Sequence, residues 1–111
     1  MLTGREAEDH VARALHDAGW TECARNWRGG GGEIDLVVAR GGAVRFVEVK
    51  LREATDPLGD DAVTLAKQRL LRQAARAWLA VHGEPRRECA FLVAMVDHDG
   101  EIRLIDDAFD G

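Results

Sequence analysis

Two short segments that mix apolar and charged residues most constrain what this chain can fold into. Residues 32–38 read GEIDLVV, residues 46–50 read FVEVK, and the pair Gly41-Gly42 lies between them. Both segments alternate with a period of two, which is typical of a half-buried strand, and a diglycine can adopt the positive φ angles of a tight turn. The sequence therefore predicts a β-hairpin with charged residues in both of its strands.

The register of this hairpin predicts a cluster of charges. A turn symmetric about the diglycine places Asp35 opposite Glu48 and Glu33 opposite Lys50. Because side chains two residues apart share a face of a strand, all four are expected on one side of the hairpin. Two carboxylates that meet directly across strands repel each other. A divalent cation or the ammonium group of Lys50 is therefore expected between them.

This arrangement suits metal-assisted hydrolysis of phosphodiesters. Mg²⁺ prefers oxygen ligands and is usually held by one or two carboxylates, with water and substrate phosphate completing its shell. Asp35 and Glu48 can provide that anchor, and Mn²⁺ is the expected substitute. Lys50 is placed to orient the attacking water or to offset charge on the phosphorus. A structural ion-pair network without a ligand is the alternative, although two carboxylates against one lysine leave charge uncompensated.

The same residues carry a resemblance to a known family. Asp35 followed after twelve residues by Glu48-Val49-Lys50 resembles the D, spacer, ExK signature of the PD-(D/E)XK nuclease superfamily. More closely, the chain resembles the YraN family of small bacterial nuclease-like proteins, which is related to archaeal Holliday junction resolvases. The matching residues run nearly end to end: Gly4 with Glu8, Asn26-Trp27-Arg28, Gly32 to Leu36, Phe46 to Lys50, Lys67-Gln68 and Asp107-Ala108-Phe109.

The resemblance implies a function and assigns roles. It implies a Mg²⁺-dependent endonuclease that acts on DNA, with branched DNA among the candidate substrates, and it makes a symmetric homodimer plausible. Asp35, Glu48 and the backbone carbonyl of Val49 would bind the metal, Lys50 would orient the attacking water, and Glu8 would join the site from the first helix. By spacing alone, Glu8 is also compatible with a solvated residue at the boundary of an apolar stripe.

Further residues are expected around this centre. Glu33 is a candidate supporting or alternative ligand. Lys67 and Gln68 resemble a polar pair that relatives present toward the active site from the start of a helix, where exposed amide groups favour an anion.

A basic stripe is the candidate surface for nucleic acid. No acidic residue occurs between residues 62 and 83, but Arg69, Arg72 and Arg76 lie there at helical spacing. Like charges at this spacing are mildly destabilising without acidic partners, so phosphate contact is as reasonable as an ordinary solvated face. Arg28 completes the expected nucleic-acid-binding set.

Local patterns predict an α/β fold in the order αβββαββ, a restriction-endonuclease-like core with a mixed five-stranded sheet and helices packed on it, as one domain over residues 1–111. The first expected elements are a helix with a capping box at Thr3 and Glu6 and with Gly19 after its end, a strand over residues 20–27, and a flexible glycine loop over residues 28–32. The hairpin follows, and then a surface loop over residues 52–61 and a helix from Thr64 to Gly83 with an apolar face that includes Leu70 and Val81. The last expected elements are an apolar strand over residues 89–96, a turn over residues 97–100 and a strand from Ile102.

Composition limits the alternatives. The net charge is −5, yet residues 1–83 hold 12 acidic and 12 basic residues, whereas residues 84–111 hold 8 acidic and 3 basic ones. The acidic excess in the last quarter keeps open a second reading, a catalytically silent module that binds nucleic acid or protein. No segment resembles a membrane span or a signal peptide, so a cytoplasmic location is expected. Cys23 and Cys89 are expected to be buried as small apolar residues.

Overall fold

The computed structural model describes residues 2–52, 63–82 and 88–111. Two helices and five strands follow in the predicted order: α1 (Gly4–Asp17), β1 (Thr21–Gly29), β2 (Gly32–Arg40), β3 (Ala43–Leu51), α2 (Leu65–His82), β4 (Glu88–Val96) and β5 (Ile102–Ile105). Beyond Arg52, the predicted surface loop lies outside the described residues, and so does Gly83. Neither helix in the described part of the chain has the length and apolar character of a membrane-crossing helix.

The five strands form one mixed sheet. Their spatial order is the same as their order in the chain, and every neighbouring pair is antiparallel except β3 and β4, which are parallel. A parallel pair needs a long crossover between its strands, and α2 lies within it. The sheet and the element order are consistent with the predicted restriction-endonuclease-like core.

Apolar side chains on the two faces of the sheet form two cores. On the α1 face, Leu36, Val38 and Val47 pack with Val11 and Leu15. On the α2 face, the buried residues Val37, Val44, Phe46, Phe91, Val93, Met95, Leu71, Ala74 and Trp78 pack together. Alternate residues of β4 belong to opposite cores, which explains why that strand is apolar throughout, as predicted.

Local capping fixes the start of each helix as predicted. The hydroxyl of Thr3 accepts a hydrogen bond from the Glu6 amide, and the Glu6 carboxylate accepts one from the Thr3 amide, which completes the capping box. At α2, the hydroxyl of Thr64 accepts a hydrogen bond from the Lys67 amide. Gly19 follows α1 with a φ of 94°, a conformation that glycine adopts readily.

The buried face of α2 is rotated from the predicted one. Leu70 and Val81 were expected in the core, but they are 41% and 70% exposed. Leu71 and Ala75 are buried instead, beside Ala74 and Trp78. This prediction was wrong because several stripes of α2 contain apolar residues, and only the position of the sheet decides which stripe is covered.

The glycine run is a tight turn and not the expected flexible loop. Gly30 and Gly31, with φ angles of 62° and 86°, connect β1 to β2. A Cβ atom on Gly30 would lie 2.5 Å from the Gln73 carbonyl oxygen, and one on Gly32 would lie 2.3 Å from the Leu70 carbonyl oxygen. The glycines therefore let the hairpin approach the backbone of α2, which side chains would prevent.

The expectation of buried cysteines was also wrong. Cys23 and Cys89 are both exposed. Cys23 lies in the edge strand β1, where the register with β2 shifts between Glu22 and Ala24. Cys89 lies near the start of β4, before the buried part of that strand.

Candidate active site

The site lies where β2 and β3 stop pairing. The two strands pair from Arg40 opposite Ala43 to Leu36 opposite Val47, which is the predicted register for these residues. The predicted pairs of Asp35 with Glu48 and of Glu33 with Lys50 are not part of this ladder. Asp35 is the next residue along β2, and its Oδ2 atom accepts a hydrogen bond of 2.8 Å from the backbone amide of Val49. The carboxylate of Asp35 thus joins the two strands just beyond the end of their ladder and points toward the backbone of β3.

The environment of Asp35 disfavours its charged form. Burial raises its pKa, and the hydrogen bond from Val49 opposes this shift. Repulsion from Glu8 and Glu33 raises the pKa further, and attraction to Lys67 lowers it. Residues from α1, β2 and α2 therefore act electrostatically on this carboxylate.

Glu48 is the most perturbed carboxylate of the group. Burial, followed by repulsion from Asp35, raises its pKa from the ordinary value of 4.5 to about 7, although Lys67 and Lys50 oppose the shift. Its side chain is 13% exposed, and its Oε1 atom lies 3.8 Å from the Lys67 ammonium nitrogen. Its Oε2 atom is buried and has no hydrogen-bond partner within the described residues. Such an acceptor costs about 1 to 3 kcal/mol unless a ligand or cation satisfies it.

The two other carboxylates have partners of their own. Glu8 Oε1 accepts a hydrogen bond of 3.0 Å from the side-chain amide of Asn26, which connects α1 to β1. Glu33 Oε2 lies 3.7 Å from the Arg28 Nε atom, but Arg28 is 81% exposed, so water screens this pair.

The cluster as a whole carries excess negative charge. Four carboxylates, on Glu8, Glu33, Asp35 and Glu48, interact with two ammonium groups, on Lys50 and Lys67. When all six are ionised, two negative charges are left over in a partly buried site, leaving aside Arg28, whose exposed pairing with Glu33 is screened by water. One divalent cation would balance them.

The donor set fits Mg²⁺ or Mn²⁺. Only oxygen atoms are offered: Glu48 has an unpartnered Oε2 atom, and a second carboxylate, that of Asp35, is near enough to repel it. Among the described residues, no group of three or more His, Cys, Asp or Glu side chains has the arrangement of a metal site. Mg²⁺ commonly takes only one or two protein carboxylates and keeps several waters, so Asp35 and Glu48 are the pair to consider.

Gln68 and the three arginines of α2 have other contacts or lie exposed. Gln68 donates through its side chain to the carbonyl of Val63, so its amide is turned toward the start of its own helix. Arg72 donates to the Asp110 carbonyl at 3.3 Å, and Arg69 and Arg76 are exposed on α2. Arg69 and Arg76 thus give α2 an exposed basic surface.

Sequence reasoning missed Asn26 as a candidate for the site. It has a φ of 49°, which is uncommon for a residue other than glycine, and its amide contacts Glu8. An asparagine between Arg25 and Trp27 in a predicted strand was an available signal, because asparagine is a poor strand former and tolerates this left-handed conformation.

Comparison with known proteins identifies the family. A sequence model described as "Uncharacterised protein family UPF0102" matches residues 7–97. The chain belongs to the UPF0102 family. This confirms the resemblance to the YraN family, because the two names denote the same family.

Relatives of this UPF0102 protein match most of its length. A UPF0102 protein of Gloeobacter violaceus is 48% identical and aligns over 90% of this chain and 83% of its own. One from Nitratidesulfovibrio vulgaris is 42% identical over 97% of this chain and 84% of its own. One from Rhodococcus jostii is 40% identical over 98% and 97%. These names state family membership, so function is argued from the site.

Proposed function

We propose that this UPF0102 protein is a Mg²⁺-dependent endonuclease that hydrolyses phosphodiester bonds in DNA, with branched or structured DNA as the candidate substrate. The observation that carries the proposal is the state of Glu48. Its side chain is 13% exposed, one of its oxygens is buried without a partner, and the carboxylate of Asp35 repels it. A bound cation would give the buried oxygen a partner, and its positive charge would offset the repulsion between the two carboxylates.

The residues divide into a metal-binding pair and its neighbours. Asp35 and Glu48 would hold the cation, with the Val49 carbonyl and Glu8 as further ligands and Glu33 as a supporting carboxylate. Bound Mg²⁺ would stabilise negative charge on the phosphoryl group and acidify a water molecule. Lys50 would orient the attacking water, because it lies two residues after Glu48 and acts on that carboxylate electrostatically.

Lys67 has two roles in this proposal. Without a cation, its ammonium group lies 3.8 Å from Glu48 and offsets part of the negative charge. A bound cation would take over that task, and Lys67, which is 42% exposed, would be available to a substrate phosphate.

DNA would reach the site from the basic surface of α2. Arg69 and Arg76 are exposed there, and Arg28 is exposed on β1, beside Glu33. Gln68 lies one residue after Lys67 and is a further candidate for a polar contact with DNA. Because the net charge is −5, binding depends on this local surface, and we expect it to weaken steeply with salt. A symmetric homodimer would present two such surfaces to a branched substrate.

A silent binding module that retains the nuclease fold is the second candidate. The 8 acidic residues against 3 basic ones in residues 84–111 favour it, because they reduce nonspecific affinity for DNA. A silent module has no need of a cation at Asp35 and Glu48. Divalent-cation binding therefore separates the two candidates.

Cleavage assays test the leading proposal. The purified protein is incubated with four-way junctions, flaps, single strands and supercoiled plasmid, with Mg²⁺, Mn²⁺ or chelator. We expect metal-dependent cutting that is lost in Asp35→Asn and in Lys50→Ala, whereas Glu101→Gln, at an exposed position after β4, cuts like wild type. Circular dichroism checks that each variant is folded. Equal cutting by folded Lys50→Ala would refute the assignment of Lys50.

A further inference from the structure

We infer that Asn26 is a positioning residue that sets the geometry of both Glu8 and Asp35. This inference rests on the proposed function for its importance, but its structural basis is independent. Asn26 lies in the edge strand β1 with a φ of 49°, and its side-chain amide donates to Glu8 Oε1 at 3.0 Å. Glu8 in turn raises the pKa of Asp35, so the two carboxylates are close enough to repel.

Neighbouring contacts show that Asn26 changes the direction of its strand's side chains. Arg25 forms an ion pair with Asp9 of α1, and Asn26 contacts Glu8, the preceding residue of the same helix. Consecutive residues of a regular strand point to opposite faces. Here both reach α1, because the left-handed backbone at Asn26 turns its side chain to the face already used by Arg25.

In the neighbouring strand β2, the alternation of side chains between the two faces of the sheet shifts at the position beside Asn26. Trp27 pairs with Ile34, and both pack on the α2 side of the sheet. Arg25 pairs with Leu36, and both contact the α1 side. Asn26 and Asp35 are the residues between these two pairs.

The side chains of β2 therefore do not alternate regularly between the two faces of the sheet at Asp35. Ile34 and Leu36, its two neighbours in β2, lie on opposite faces, although residues two apart normally share one. The Asp35 side chain is directed along the sheet to the Val49 amide at 2.8 Å, between the two helix-covered faces. The backbone conformation of Asn26 therefore accompanies the placement of Asp35, and its amide holds Glu8.

Asparagine suits both tasks. It tolerates the left-handed region better than other residues with a Cβ atom. Its neutral amide donates to a carboxylate without cancelling the charge that attracts a cation. Glycine would preserve the backbone and lose the amide, whereas alanine would lose the amide and disfavour the backbone. These two substitutions separate the two tasks.

The first experiment needs no metal. Hydrogen exchange of the Val49 amide is measured by NMR in wild type, Asn26→Gly and Asn26→Ala. We expect wild-type protection in Asn26→Gly and at least about 10-fold faster exchange in Asn26→Ala, because only the latter disturbs the backbone opposite Asp35. Equal protection of Val49 in Asn26→Ala and wild type would overturn the link to Asp35.

The second experiment measures Mn²⁺ affinity by calorimetry in wild type, Asn26→Gly, Glu8→Gln and the double variant. Loss of one hydrogen bond to a ligand predicts affinity about 3- to 10-fold weaker in Asn26→Gly. The double variant should be no weaker than Glu8→Gln, because Asn26 acts through Glu8. Unchanged affinity in Asn26→Gly, or additive losses, would overturn the link to Glu8. If the wild type binds no Mn²⁺, the proposed function fails, while the Val49 exchange still decides the role of Asn26.

Discussion

Glu48→Gln should stabilise the metal-free protein at neutral and alkaline pH. The folded state raises the pKa of Glu48 from 4.5 to about 7, so the folded protein binds the proton more tightly than the unfolded chain. For such a group, stability is greatest below the lower pKa and falls as the pH rises through the higher one. At about 1.4 kcal/mol per pKa unit, ionisation of Glu48 costs roughly 3 kcal/mol by pH 8.

Glutamine has nearly the same shape and does not ionise. Between pH 5 and pH 8, we therefore expect the free energy of unfolding to fall by roughly 2.5 kcal/mol more in wild type than in Glu48→Gln, because the rest of the cost is already present at pH 5. Burial raises the pKa of Asp35 too, so ionisation of Asp35 lowers the free energy of unfolding with rising pH in both proteins. The control is Glu101→Gln, in which an exposed glutamate is replaced and the wild-type pH profile should persist.

Urea unfolding followed by circular dichroism at pH 5, 6, 7 and 8, with chelator present, measures the effect. Saturating Mg²⁺ should then remove the advantage of the variant at pH 8, because the cation stabilises only a protein that can bind it. Parallel pH profiles for wild type and Glu48→Gln would refute the reasoning, since they would mean that Glu48 ionises in the folded protein at no cost.

Two other predictions concern packing and DNA binding. Gly32→Ala should lower the free energy of unfolding by about 1 to 3 kcal/mol, because its Cβ atom would lie 2.3 Å from the Leu70 carbonyl oxygen. The control is Gly42→Ala, whose Cβ atom would lie in open space and which should change this free energy by under about 0.5 kcal/mol. Urea unfolding measures both. Replacing Arg69 and Arg76 together with glutamine should weaken DNA binding and reduce its logarithmic salt slope by about 2 in fluorescence anisotropy. Arg13→Gln, on the opposite helix, is the control, and equal slopes in both variants would contradict a DNA-binding role for α2.

Local chemistry explains what the sequence could predict. The register from Arg40 opposite Ala43 to Leu36 opposite Val47 follows from a two-residue turn and strict alternation. The capping box at Thr3 is equally local, because its partners lie three residues apart. The element order likewise needed no knowledge of distant contacts.

Tertiary contacts decided the rest. The covered stripe of α2 depends on where the sheet lies, and the glycine run is a packed turn because α2 lies over it. Most informative for the site is Asp35. Alternation predicts a side chain on one face of the hairpin, but the left-handed conformation of Asn26 in the neighbouring strand and the Val49 amide in the other direct it along the sheet. None of these partners is adjacent to Asp35 in sequence.

Calorimetric titration of Mg²⁺ and Mn²⁺ into wild type and Asp35→Asn tests the central claim most directly. The claim is that the carboxylates of Asp35 and Glu48 together hold a divalent cation. It predicts binding of one ion per chain to the wild type at or below millimolar concentration, and binding at least about 10-fold weaker to folded Asp35→Asn. Absence of binding to the wild type at millimolar concentration, or equal binding to both proteins, would contradict it.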